Sequence, residues 1–110
     1  MAEVDYAADV AKYTETCDAE CVAGIVRHCG IALRSRDASM VSCSDESERN
    51  RVRDSFLKKK LGRTEDDTEL DHAVMEVCQK MQATRQKSRV TFYYLLAEKY
   101  GQLELFRKKS

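Results

Sequence analysis

The chain has 110 residues, 43% of them hydrophobic and 35% charged, which fits one small helical domain over residues 1–110 and excludes a second catalytic domain. Nineteen Lys and Arg offset nineteen Asp and Glu, which excludes an overall polyelectrolyte attraction to nucleic acid or membranes. There is no proline and there are only four glycines, and strand-like alternation is rare, so the expected class is all-α: a compact bundle of about five helices with a central aromatic C-terminal helix.

The first helix is expected from Asp5 to about Thr16, short and acidic at its start. Glu3, Asp5 and Asp9 stand where a signal peptide has a basic start and an apolar run, and no stretch approaches the roughly 20 apolar residues that cross a bilayer. The expected location is therefore the cytoplasm, with no membrane partner. Asp18 caps a second helix to about Arg34, with Val22, Ile25, Val26, Cys29 and Leu33 on one buried stripe. Ser35 to Ser44 reads as an irregular connection.

Ser44 or Asp45 caps a third helix, with Asp45 and Glu48 as a reciprocal cap, Asp45 and Arg49 as an i, i+4 pair, and Val52, Phe56 and Leu57 inside. Gly62 ends it. Thr64 with Asp67 opens a fourth helix whose inner stripe is Leu70, Val74, Val77, Cys78 and Met81. After a link near Ala83 to Gln86, Lys87 to Tyr100 forms the aromatic helix and Gly101 stops it. From Leu95 round to Tyr94, its apolar residues sweep more than half the circumference at about 100° per residue. Five short helices leave part of so apolar a surface uncovered, which predicts a self-association or partner face. Leu103, Leu105 and Phe106 form a last turn that folds back.

Three blocks in order, VSCSDESERNRVRDSFLKKKLG (Val41 to Gly62), LDHAVMEVCQKM (Leu70 to Met81) and RVTFYYLLAEKYG (Arg89 to Gly101), resemble DUF2853, a small bacterial family of unknown function. The resemblance implies a single bacterial domain and brings no activity, cofactor or catalytic residue with it.

Candidate chemistry is sparse. Cys17, Cys21, His28 and Cys29 lie within thirteen residues and suggest a metal, but Asp18 as a cap puts Cys17 outside the helix, and there is no C-x-x-C pair. Five cysteines, an odd number, point to reduced thiols rather than a disulfide framework. Cys43 is expected to be a loop thiol, with Asp45, Glu46 and Glu48 opposing its activation, and Cys78 a core thiol. Hydrolase, nucleotide-binding and metalloprotease motifs are missing. Asp66, Asp67, Glu69, Asp71 and His72 read as the ordinary acidic start of a helix. Neither enzyme activity, a cofactor nor a metal is expected.

Charge placement says more. Arg49 to Arg63 holds seven bases and one acid, Asp54, and Thr64 to Glu76 holds six acids and no Lys or Arg. The blocks either neutralise each other across neighbouring helices or offer a basic surface. Arg85, Lys87 and Arg89 at the start of the aromatic helix could instead imitate a helix-turn-helix reader, with Lys58, Lys59 and Lys60 on phosphates. Tyr93 and Tyr100 could anchor a protein partner. The expected function is protein binding or self-association through Arg49, Arg53, Lys58, Lys59, Lys60, Arg85, Lys87, Arg89, Tyr93 and Tyr100, with weak nucleic-acid binding as the alternative.

Overall fold

A computed structural model describes residues 6–15, 17–34, 38–84 and 87–107. Tyr6–Ala11 forms α1, shorter than its sequence suggests, and buries Val10. Ala19–Cys29 forms α2, capped by the Asp18 carboxylate, which accepts from the N–H groups of Glu20 and Cys21 and so satisfies donors that a helix start leaves open. Cys21, Val22, Ile25 and Cys29 face the core. The helix ends at Cys29 rather than near Arg34, because Gly30 turns to a φ of 47° that side chains resist. Gly30–Arg34 continues as a 3₁₀ turn.

Met40–Val41 (β1) pairs antiparallel with Lys87–Ser88 (β2). The connection expected to be irregular therefore contains a strand, and the aromatic helix starts after Lys87 instead of at it. Strands of two residues have no alternation to read.

Glu46–Arg51 forms α3, with the Asp45 side chain accepting from the Ser47 N–H. Glu48 pairs with Arg89 in place of completing the reciprocal cap. The chain then widens into a π-helix over Val52–Lys60, closed by the Leu61 N–H donating to the Phe56 carbonyl at 2.9 Å. The spacing of the apolar residues accounts for the winding. Val52, Phe56, Leu57 and Leu61 are all buried, yet in an α-helix of about 3.6 residues per turn a residue nine positions on lies half a turn away. Winding with i→i+5 bonds returns Leu61 to the face of Val52.

Asp67–Lys80 forms α4, capped by Asp66 through the Glu69 N–H rather than by Thr64. Arg89–Lys99 forms α5, and every residue from Arg89 to Ala97 is buried. Helices α1, α2 and α4, both strands and the 3₁₀ turn Leu103–Phe106 pack around it. The resulting radius of gyration, 13.0 Å, is that of a compact chain of about 100 residues.

The uncovered aromatic face is absent from α5, where Phe92 and Tyr94 are fully enclosed and Tyr93 is 6% exposed. The turn at Leu103–Phe106 makes the difference by lying directly on α2. A Cβ at Gly24 would stand 1.9 Å from the Phe106 carbonyl oxygen, so only glycine admits that approach.

A disulfide joins Cys43 to Cys78, 35 residues apart in sequence with Cα atoms 5.9 Å apart. This corrects the expectation of reduced thiols throughout. Cys17, Cys21 and Cys29 are free.

Candidate functional site

The basic and acidic blocks meet where the π-helix packs on α4. Arg53 donates to Asp54 at 2.9 Å and to Asp71 at 3.0 Å, and Lys58 lies 2.6 Å from Asp67 and 3.5 Å from Asp54. The Arg53 hydrogen bond holds the Asp54 carboxyl below its ordinary pKa, and the Lys58 bond does the same for Asp67. Farther along, Arg63 pairs with Glu65 at 2.5 Å and its guanidinium lies 4.4 Å from the Tyr100 ring centroid. Arg51 pairs with Glu48 at 3.7 Å. The Arg49 guanidinium donates to the Cys43 carbonyl at 2.6 Å, while its backbone N–H donates to the Asp45 carbonyl at 3.0 Å. Most of the positive block is thus neutralised or used within the fold.

Lys59 and Lys60 are different. Both are exposed, and neither has an ion pair among the described residues. Lys60 Nζ stands 5.4 Å from the Phe106 ring centroid, within cation–π range. Beneath it the rings form a stack, with Tyr93 on Phe56 at 3.9 Å and 13°, and Phe56 near Phe106 at 5.9 Å and 15°. The His28 ring packs against this stack, 5.9 Å from Phe56 and 6.1 Å from Phe106. Burial, and then the Lys60 charge, lower the His28 pKa, which favours the uncharged ring. Leu105, next to Phe106, is 51% exposed.

Arg89 and Tyr93, expected at a partner surface, belong to an internal clamp. Arg89 is 6% exposed and pairs with Glu48. It donates through Nε to the Ala38 carbonyl at 2.6 Å, through Nη1 to the Tyr93 hydroxyl at 2.9 Å and through Nη2 to the Met40 carbonyl at 3.3 Å. Its backbone N–H donates to the Ser39 carbonyl at 2.8 Å. Lys87 Nζ donates to the Thr84 carbonyl at 2.7 Å, Tyr100 is half-buried, and Arg85 lies outside the described residues. The ten expected positions therefore do not form one patch. The sequence missed His28 as a neighbour of Lys60 and Leu105 as an exposed residue, because the one read as a possible ligand and the other as part of an inward turn.

Among the described residues, no group of three or more His, Cys, Asp or Glu is placed to hold a metal ion. The Cys17 thiol donates to the Ala7 carbonyl at 3.4 Å and Cys21 to the Leu103 carbonyl at 3.2 Å. Burial pushes the Cys29 thiol up to about 11, which leaves it a poor nucleophile. No helix among the described residues is long and apolar enough to cross a membrane. An open groove of about 650 Å³ is lined by Lys12, Tyr13, Thr14, Glu15, Lys80 and Glu98, and its charges are mixed.

A model of a family described as protein of unknown function (DUF2853) matches residues 5–104. Comparison with curated proteins finds no match.

Proposed function

The chain belongs to this family, DUF2853, which supplies no activity to inherit, and we propose that it is a non-enzymatic protein-interaction module of the cytoplasm that docks an acidic segment of a partner protein. The observation that carries the reading is the pair Lys59 and Lys60, exposed and without a carboxylate partner among the described residues, while their neighbours Arg53 and Lys58 are paired. Charges used inside the fold are accounted for by the fold, and two adjacent charges left in water attract a partner of opposite sign. Leu105, exposed and next in sequence to Phe106, whose ring Lys60 overlies, gives that partner an apolar contact. His28, exposed with its ring against Phe106, adds a polar group to the same surface.

The nucleic-acid alternative needs a reading helix with an exposed polar face. Residues Arg89 to Ala97 are buried, which favours a protein partner.

Titrating isotope-labelled protein with a glutamate-rich peptide containing one leucine, followed by NMR, tests the proposal. Shifts are expected at His28, Lys59, Lys60 and Leu105, fading as salt rises. The double substitution Lys59→Glu and Lys60→Glu is expected to weaken binding roughly tenfold. Unmoved resonances at low salt would reject the reading, as would tighter binding of duplex DNA to the same residues.

A further inference from the structure

We propose that the Cys43–Cys78 disulfide is a reversible exchange site, opened by a small dithiol and closed again by a disulfide within a fold that stays assembled. This goes beyond the docking reading and does not depend on it.

Three observations point the same way. The two sulfurs differ in access, since Cys43 is half-buried in the turn before α3 and Cys78 is buried on the inner face of α4. An incoming thiolate therefore meets Cys43, whose backbone carbonyl accepts from the Arg49 guanidinium at 2.6 Å, so that residue carries a positive charge close by among the acids Asp45, Glu46 and Glu48.

Only one end of the bond belongs to the core. Cys78 is a member of the buried cluster built from α2, the π-helix, α4 and α5, whereas Cys43 is only packed against it, so opening the bond leaves the rest of that cluster in contact.

The Cys43 segment is also held independently of the sulfur. The Arg89 side chain binds the Ala38 and Met40 carbonyls, its N–H binds the Ser39 carbonyl, and Met40 and Val41 pair with Ser88 and Lys87. With the bond open, Cys43 stays near Cys78, and closure is an intramolecular reaction at high effective concentration.

The exchange proceeds in two displacements. One thiolate of the dithiol attacks Cys43 Sγ, the S–S bond breaks, and Cys78 leaves as a thiolate that takes up a proton. The second thiolate then attacks the sulfur of its own molecule in the mixed disulfide. The reagent departs as a cyclic disulfide, and Cys43 is released as a thiolate that also takes up a proton. Two electrons and two protons pass from the dithiol to the protein. Closure by glutathione disulfide runs in reverse and yields two molecules of reduced glutathione.

The test treats the full chain with dithiothreitol under native conditions and then with glutathione disulfide, reading alkylated cysteines by mass spectrometry, helical circular dichroism and amide exchange. Cys43 and Cys78 are expected to become alkylated together with the helical signal kept. Amide exchange in residues 40–45 and 76–81 is expected to quicken at least tenfold with α5 unchanged, and glutathione disulfide should restore the bond. The double variant Cys43→Ser with Cys78→Ser should match the reduced protein. Opening only in denaturant, loss of helix on reduction, unchanged exchange, failure to rejoin or an unfolded double variant would each overturn the proposal.

Discussion

Arg89 is a charge placed where the helix around it is apolar, and its worth lies in what it leaves satisfied. Its side chain serves the Glu48 carboxylate, two backbone carbonyls and the Tyr93 hydroxyl. Removing one partner of a buried pair strands the other and costs about 3–5 kcal/mol. Arg89→Met is therefore expected to lower the unfolding free energy by about 3 kcal/mol or more in urea denaturation, and a loss under about 1 kcal/mol would refute the clamp. Glu48→Gln keeps a hydrogen-bond acceptor and should cost less. Sequence reasoning put Arg89 on a surface because it stands beside Lys87 and near Arg85. Its partners, Ala38, Met40 and Glu48, come from 41 to 51 residues away, and no local spacing reveals them. The free lysines were equally illegible. Lys58 and Lys59 are identical as sequence, and only the placement of Asp54 and Asp67 separates them.

At the scale of elements, local patterns carried well where one stripe faced one core. The Asp18 cap, the Val22, Ile25 and Cys29 part of the α2 stripe and the central place of α5 were readable, because apolar spacing repeats over several turns, whereas the complete enclosure of α5 was not. The β1–β2 pair and the π winding were not. The first is too short for a period, and the second shows only when Leu61 is counted with Val52. The contact between the final 3₁₀ turn and α2 rests on a single missing side chain, at Gly24. Gly24→Ala should push Phe106 off the ring stack, because the opposing atoms are backbone and cannot swing aside. A loss of about 1–3 kcal/mol is expected, measured by thermal unfolding, together with changed ring-current shifts at His28. An unchanged melting temperature would contradict that packing.

For the molecule as a whole, zero net charge conceals a fold fastened by opposite charges. Asp18, held low by Arg107, joins Asp54, Glu65 and Asp67 as carboxylates with depressed pKa. Groups of this kind add stability that is complete above the ordinary carboxylate pKa of about 4 and is lost as pH falls through the lower folded values. Melting temperature should therefore change little from neutrality down to about pH 5 and fall below about pH 4. A rise in that acidic range would count against these pairs. The disulfide works alongside them, since closing a loop of 35 residues is worth about 4 kcal/mol by chain entropy. That is smaller than a typical folding free energy of about 5–15 kcal/mol, so the reduced form is expected to melt lower and stay folded. Two cysteines drawn from an odd five gave no hint of their pairing, which depends on α4 crossing the turn before α3.

The wide coil of Val52–Lys60 belongs to the assembled domain more than to its own residues. Such coils are rare because their bonds are poorly arranged, and this one persists while Leu61 is seated beside Val52. If Leu61 were unseated, the segment would relax to the tighter α-helical winding of about 3.6 residues per turn and carry Lys59 and Lys60 around its axis. The direction in which the protein shows its unclaimed charge is thus set by how tightly one stretch of backbone is wound.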